Sequence, residues 1–525
     1  MAPLLRCHPS LGLLLLVHAV SALNISISVV APPAAAPISP SLASFSIEQD
    51  RWTDWVGTTS RNQFFFNTLD NLKQLTGVPP LIRIGANSED HTDFDPNVRF
   101  SEAVFPAPSA TVPYPEAVSL VVGDAYYQTA QFLPPNTHVI WGVNLGQNNI
   151  TAAILAASSI AKAFRSSAIK DAGIVLDAIE IGNEPDLYMN NGLRARNYSS
   201  SQYTNEWIAF ATNVSVAAGI TPTSHTKFWG AAFAGSSHTT SGFSPQAIFS
   251  QGILSSAPGS LTSTISQHRY SGSFCTGSGG LLQDLMTKST IRGNLSIYDP
   301  DIAATHEKGL DYVLGETNSY SCHGAPGVSN TAGAALWTLD YMLYAIQIGI
   351  SQVFFHQGIG FKYNLIQPAT LTRSILDGST LPEPLLPHVQ PQYYAAIIAA
   401  EAIGDSGNAH AVELSINDPQ IAGYAFYEGT DLARVVLINS KAYFKSDTTA
   451  RPKTHICLSF LGGRRRTAIV KRLAIGHADD TSGLTWSGQT YETKNGRPSG
   501  NVQTETIHVF AGIDISATEV VMLSF

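Results

Sequence analysis

The chain has 525 residues, 13% of them charged and 44% hydrophobic, with a formal net charge of −9 and an isoelectric point near 5.9. This globular composition is too long for one core of ordinary size, so one large and one smaller domain are expected. The acidic balance argues against nucleic acid and anionic membranes as partners, and the short basic run Arg464-Arg465-Arg466 reads as a solvated turn.

The first 22 residues read as a secretory leader: Arg6, then an apolar core at 11–17, then Val20-Ser21-Ala22 as a small-residue cleavage site. The apolar stretch is too short to span a bilayer, so a secreted, extracellular protein without a membrane anchor is expected. Asn24, Asn149, Asn197, Asn213 and Asn294 each open an N-x-Ser/Thr sequon, which fits glycosylation on that route. Residues 23–37 hold an alternating strand and a Pro-rich connector, expected to pack with the smaller domain. Between 38 and 404, apolar runs recur at 43–47, 81–84, 139–143, 178–181, 228–233, 263–266, 312–314 and 352–355. Helix-like stretches such as 150–164 and 332–348 separate them, which predicts a (β/α)8 barrel. The segment 367–391 reads as a long loop and 393–403 as a helix ending at Gly404. From 405 to 525, short alternating runs between Gly, Asn and Asp predict an antiparallel β-sandwich.

Two runs end in a glycine and then a carboxylate: Gly182-Asn183-Glu184-Pro185 and Gly315-Glu316-Thr317-Asn318. Either glutamate alone could cap a helix or accept a salt bridge. On a barrel, however, both would stand on the C-terminal rim, where active residues gather. Two carboxyl groups on one rim suit cleavage of a glycosidic bond. His268 and Tyr270 lie two apart and can share one face of the sixth strand.

Together with Arg83-Ile84-Gly85-Ala86-Asn87-Ser88-Glu89-Asp90, Gln267-His268-Arg269-Tyr270 and Phe355-His356-Gln357-Gly358, these motifs resemble glycoside hydrolase family 79. That family includes fungal and bacterial β-glucuronidases and heparanase. The resemblance covers most of the chain after the leader. It implies Glu184 as acid/base, Glu316 as nucleophile, and Asn183 on the sugar 2-hydroxyl. It further implies substrate contacts from Glu48, Asp90, His268, Tyr270, Tyr320, His356 and Tyr363, with backbone N–H groups near Gly358 and Gly360. The seventh loop, Tyr320-Ser321-Cys322, departs from the family pattern. The function expected is an exo-acting retaining β-glucuronidase releasing glucuronic acid or its 4-O-methyl form from glycans. The alternatives are a heparanase-type endo-enzyme and a glycan-binding barrel without catalysis. No metal-ligand spacing and no phosphate loop is present, so neither metal nor cofactor is expected. Cys275 and Cys322 follow neighbouring strands of the expected barrel and are expected to pair, leaving Cys457 as an odd thiol; two buried free thiols are the alternative.

Overall fold

The computed structural model describes residues 22–525; the expected leader, apart from Ala22, lies outside the described residues. Eight parallel strands close a barrel: β1 (Ala43–Glu48), β2 (Ile82–Gly85), β3 (His138–Val143), β4 (Val175–Ile181), β5 (Lys227–Phe233), β6 (Thr262–Ser273), β7 (Asp311–Ser321) and β8 (Gln352–Gln357). Each strand pairs with the next in sequence, and β8 pairs back to β1. Helices Gln63–Thr76, Ile150–Phe164, Ser200–Ala218 and Ala332–Gln347 pack outside. Asn149 starts the second of these because its side chain accepts the Ala152 N–H at 3.2 Å.

The strands are apolar on both faces because helices cover one face and the barrel interior fills the other. Ile140, Ala178, Trp229, Val313 and Phe354 form one interior layer, with the Trp229 and Phe354 rings edge to face at 5.1 Å. Further toward the C-terminal ends, the interior changes from apolar to charged side chains.

A two-sheet β-domain completes the fold. One sheet runs through Ala409–Glu413, Ile421–Glu428, Asp431–Asn439, Glu519–Ser524 and Thr467–Ala474. The other joins Ala22–Ser28, Lys453–Leu461 and Ile513–Ser516. Ile25, Ile27, Val435, Leu437, Ile456 and Val521 fill the space between them. Arg292 links this domain to the barrel: its guanidinium bonds Asp340 at 2.6 and 2.9 Å and Glu413 at 2.6 Å.

Three expectations need correction. The segment expected as a loop contains a hairpin, Leu371–Arg373 with Thr380–Leu385. Its turn is made by Asp377, which accepts the Ser379 N–H, and by Gly378 at φ +74°. The seventh strand does not stop at Gly315 but continues to Ser321. Gly315 is the extra residue of a bulge, because Gln267 pairs with Leu314 while His268 pairs with Glu316. Finally, Cys275 and Cys322 form a disulfide, but Cys457 is bonded as well, and no free cysteine is found among the described residues.

Of the sequon asparagines, Asn24, Asn149, Asn197 and Asn213 are exposed, whereas Asn294 is half-buried and accepts a hydrogen bond from Arg269.

The Cys275–Cys322 bridge closes a loop with a sequence separation of 47. Replacing both cysteines by serine should lower unfolding free energy by about 2–4 kcal/mol. Urea denaturation of the wild type and the double variant measures it, and an unchanged midpoint would contradict the expectation.

Candidate active site

The charged layer is built around Arg83, which is fully buried. Its Nη2 and Nε donate to the two oxygens of Glu180 at 2.6 and 3.0 Å. Nη1 donates to Glu316 Oε2 and Ser46 Oγ, both at 2.9 Å, and Nη2 also reaches Asn183 Oδ1 at 2.8 Å. A buried guanidinium is tolerated only when its donors are satisfied in this way. Glu89 lies 4.0 Å from Arg83, and neither carboxyl oxygen has a hydrogen-bond partner. Burial, reinforced by nearby Glu180, pushes its pKa far up, so Glu89 is a neutral acid. Gly142 makes room for it: a Cβ there would lie 1.8 Å from Glu89 Oε2.

Glu316 accepts hydrogen bonds from Arg83 and from the Tyr270 hydroxyl, the latter at 2.8 Å. Burial opposes its ionisation. The positive charge of His356 and Arg83, with the Tyr270 bond, outweighs that and holds its pKa down at about 2. Glu184 is in the opposite position. Its pKa is pushed up to about 8, first by burial and then by repulsion from Glu316. Its carboxyl keeps 20% exposure, and Oε1 lies 3.0 Å from His268 Nδ1. His268 is driven down to about 4 by burial, so it faces Glu184 as a neutral imidazole. One oxygen of Glu184, one of Glu316 and one His268 nitrogen lie within 4.8 Å of one another. Such a set could ligate an ion, but the permanent positive charge of Arg83 beside Glu316 opposes a cation there.

Glu184 sits at φ +49°, ψ +51°, a left-handed conformation that a side chain rarely adopts. Its N–H donates to Ala232 O at 2.9 Å, and Asp186 accepts the Ala234 and Ser236 N–H groups at 2.9 and 3.1 Å. The loops after β4 and β5 thus hold the strained residue between them.

The remaining expected residues divide. His356 lies 3.3 Å from Glu48 Oε2 and 3.9 Å from Glu316. Burial works against its charge, but the two glutamates raise its pKa above the ordinary imidazole value. Tyr363 stands beside this group, its ring 5.9 Å from Tyr270 and 6.1 Å from His356. Asn183 turns its oxygen to Arg83, and its NH2 meets no protein acceptor among the described residues. Asp90 does not serve as a free acceptor. Its oxygens take Leu145 N–H, Gly146 N–H, Asn183 N–H and the Tyr188 hydroxyl at 2.7–3.0 Å, so it fixes the Asn183 loop instead. Tyr320 does not join the group. Its ring packs on Gly272 and Gly280, where a Cβ would lie 2.3 and 2.0 Å from it. The N–H groups of Gly358 and Gly360 are already taken by Asn364 and Gln367, at 3.1 and 3.0 Å.

Arg83 and Glu180 have no role in the sequence expectations, although Arg83 opens one of the quoted motifs and Glu180 lies in the apolar run 178–181. Their signal is a charge inside an apolar run, Ile82-Arg83-Ile84 and Ile179-Glu180-Ile181. A charge buried on both faces of a strand needs a partner.

Hydrolysis of a glycoside asks for a proton donor and an ionised carboxylate a few ångströms apart. The rim of this barrel supplies that pair from two neighbouring environments, and the protein is a glycoside hydrolase. Residues 423–522 match the model of the glycosyl hydrolase family 79 C-terminal beta domain. A β-glucuronidase of Aspergillus niger is 29% identical over 502 residues, covering 91% of this chain and 88% of that protein. One from Neurospora crassa is 27% identical over 529 residues, with 91% and 89% covered. The crystal structure of a 4-O-α-L-rhamnosyl-β-D-glucuronidase from Fusarium oxysporum superposes with a TM-score of 0.77 at 23% identity, covering 96% of this chain and 100% of that one. The match at 423–522 and the two fungal relatives make the chain similar to glycoside hydrolase family 79.

Removing Arg83 leaves Glu180 and Glu316 buried without their cation. Arg83→Met should therefore lose about 3–5 kcal/mol of stability at neutral pH. The deficit should shrink as pH falls, because Glu316 without Arg83 loses a cation that holds its pKa down and is neutralised more easily. Urea unfolding of both proteins at pH 4.5 and 7 checks the size and the sign.

Proposed function

We propose that the protein is a secreted, retaining exo-β-glucuronidase that releases glucuronic acid, or its 4-O-methyl form, from glycans. The observation that carries the mechanism is the Glu184–Glu316 pair, whose nearest oxygens are no more than 4.8 Å apart. That spacing fits carboxyl groups about 5–5.5 Å apart, as in double displacement, and leaves no room for the water an inverting enzyme places between them.

In this reading, Glu184 is neutral before reaction and gives its proton to the leaving oxygen. Glu316, held ionised by Arg83 and Tyr270, attacks the anomeric carbon. Once the glycosyl-enzyme forms, Glu316 carries no charge. The repulsion that raised Glu184 is gone, and it can accept a proton from the incoming water. The free NH2 of Asn183 meets the sugar 2-hydroxyl. His356 adds positive charge and the Tyr363 hydroxyl a donor for a substrate carboxylate, while the Tyr270 hydroxyl stays on Glu316. The names of the fungal relatives support the glucuronide.

Exo action is supported by a wall along one side of the site. His323, after β7, bonds Glu116 at 2.7 Å, and Tyr114 accepts the Thr372 and Arg373 N–H groups at 3.0 and 2.8 Å. Lys362, after β8, reaches Thr111 O at 3.3 Å. These contacts bound the site on one side, which suits a chain end better than a chain interior. The disulfide and the exposed sequons support export.

Glu316→Gln should fold but lose activity by several orders of magnitude. Glu184→Ala should be rescued by azide on activated aryl substrates, yielding a β-glycosyl azide, and should lose the alkaline limb that Glu184 sets near pH 8. Proton NMR of the first-formed sugar decides the stereochemistry, and an inverted product would overturn the roles.

Tyr363→Phe should weaken binding of an aryl β-glucuronide by about 1–3 kcal/mol, the cost of one donor withdrawn from a charged partner. Turnover of the aryl β-glucoside, if present, should barely change. Wild-type preference for the glucoside would mean that the fold and chemistry stand while the substrate is wrong.

A further inference from the structure

At the opposite end of the barrel from the glutamate pair, three side chains converge that the glycosidase chemistry does not use. His138 opens β3, Asp177 is the third residue of β4, and His225 lies two residues before β5. His138 Nδ1 is 2.7 and 2.8 Å from the two Asp177 oxygens, and His225 Nε2 is 2.7 Å from Oδ1. The imidazole rings do not stack. Their centroids are 6.2 Å apart and their planes 60° apart, so one nitrogen of each ring points at the same carboxylate.

The backbone is adapted to this meeting. β3 and β4 pair Val139 with Leu176 and Ile140 with Ala178, which leaves Asp177 as the extra residue of a β-bulge. A bulge re-aims the side chain it carries. In a regular ladder, alternation would set Asp177 by its neighbours; here it is turned between the strands on either side. Thr226 ties the third strand in by donating to Leu176 O at 2.8 Å.

We propose that His138, Asp177 and His225 form a binding site for one divalent transition-metal ion of the zinc type. Two imidazoles and one carboxylate are the donor set that such ions prefer, with water completing the coordination. All three ligand atoms lie within 4.8 Å of one another. Tetrahedral zinc with bonds of about 2.0–2.1 Å sets its ligands about 3.3 Å apart, so each 2.7 Å contact needs to open by only about 0.6 Å. Rotations of half-exposed side chains supply that. The site opens onto a cleft of about 330 Å³, which gives an ion and its water a route in. Lys227, the nearest cation on this cleft, is drawn aside: its ammonium donates to Thr221 O and Pro222 O at 3.1 and 3.0 Å. An ion here would bridge the starts of β3 and β4 and the loop entering β5. Its effect is on the stability of the barrel and not on the chemistry at the far rim.

The test uses the full chain stripped with a chelator and then dialysed. Equilibrium dialysis with zinc should give one bound equivalent, and cobalt(II) should give the visible absorption bands of a low-coordinate nitrogen and oxygen site. Zinc should raise Tm. His225→Gln, at an exposed position, and Asp177→Asn should each lose the bound equivalent and the Tm rise. Both should keep wild-type turnover of an aryl glycoside. Glu316→Gln should keep the equivalent, which separates this site from the Glu184–His268–Glu316 group. No bound zinc in the wild type at millimolar concentration would overturn the proposal. So would a bound equivalent that survives in His225→Gln and disappears in Glu316→Gln.

Discussion

Arg83 is the constraint on which the mouth of the barrel depends. Burying a guanidinium completely is costly, and the cost is offset only because every direction it points in ends on an acceptor: Glu180 side-on, Glu316, Asn183 and Ser46. These acceptors come from four different elements, the strands β1, β4 and β7 and the loop after β4. One side chain thereby fixes the mutual positions of a nucleophile candidate, the Asn183 amide and a structural carboxylate. It does so with planar geometry that a lysine could not reproduce. The neutral acid Glu89 completes the arrangement without adding a second negative charge beside Glu180.

From that hub follows the difference between the two rim glutamates. Both are largely removed from water, so desolvation alone would raise both. Glu316 touches a fixed cation and a hydroxyl donor; Glu184 touches a neutral imidazole and feels Glu316. The environment, and not the residue type, separates an acid from an anion. In the proposed double displacement, the same coupling would let the difference reverse within one cycle, because esterifying Glu316 would remove the charge that keeps Glu184 protonated. The left-handed backbone at Glu184 shows that this placement is imposed by the surrounding loops.

Much of the barrel could be read from the chain. The eight apolar runs fall on the eight strands, since a parallel barrel buries both faces of each strand and so writes unbroken apolar stretches into the sequence. The helix at Ile150–Phe164 is bounded to the residue by its pattern. What could not be read were features that alternation does not encode. The bulge at Gly315 turns Glu316 inward from the middle of a long strand, and no periodicity announces it. The Asp377-Gly378 hairpin was masked by the prolines around it. Asp90 and Tyr320 have residue types suited to sugar contact, and only the three-dimensional neighbourhood reveals that Asp90 is saturated and Tyr320 faces the glycines of an adjacent loop. Arg83 was legible as an anomaly, a charge in a buried run, but its partners lie up to 233 residues away.

The strand at the beginning of the β-domain has a consequence for how the chain is made. Ala22–Ser28 pairs in parallel with Lys453–Leu461, so Ser26 meets Ser459 across 433 residues. During synthesis the whole barrel emerges before that partner exists. Ile25 and Ile27 must therefore wait, apolar and unpaired, through most of translation. The serines between them keep the other face polar and limit what a waiting strand can recruit by mistake. Assembly of the β-domain is thus a late event that only the last fifth of the polypeptide can trigger. A ribosome that stalls beyond the barrel would release the barrel with its first β-domain strand unpaired.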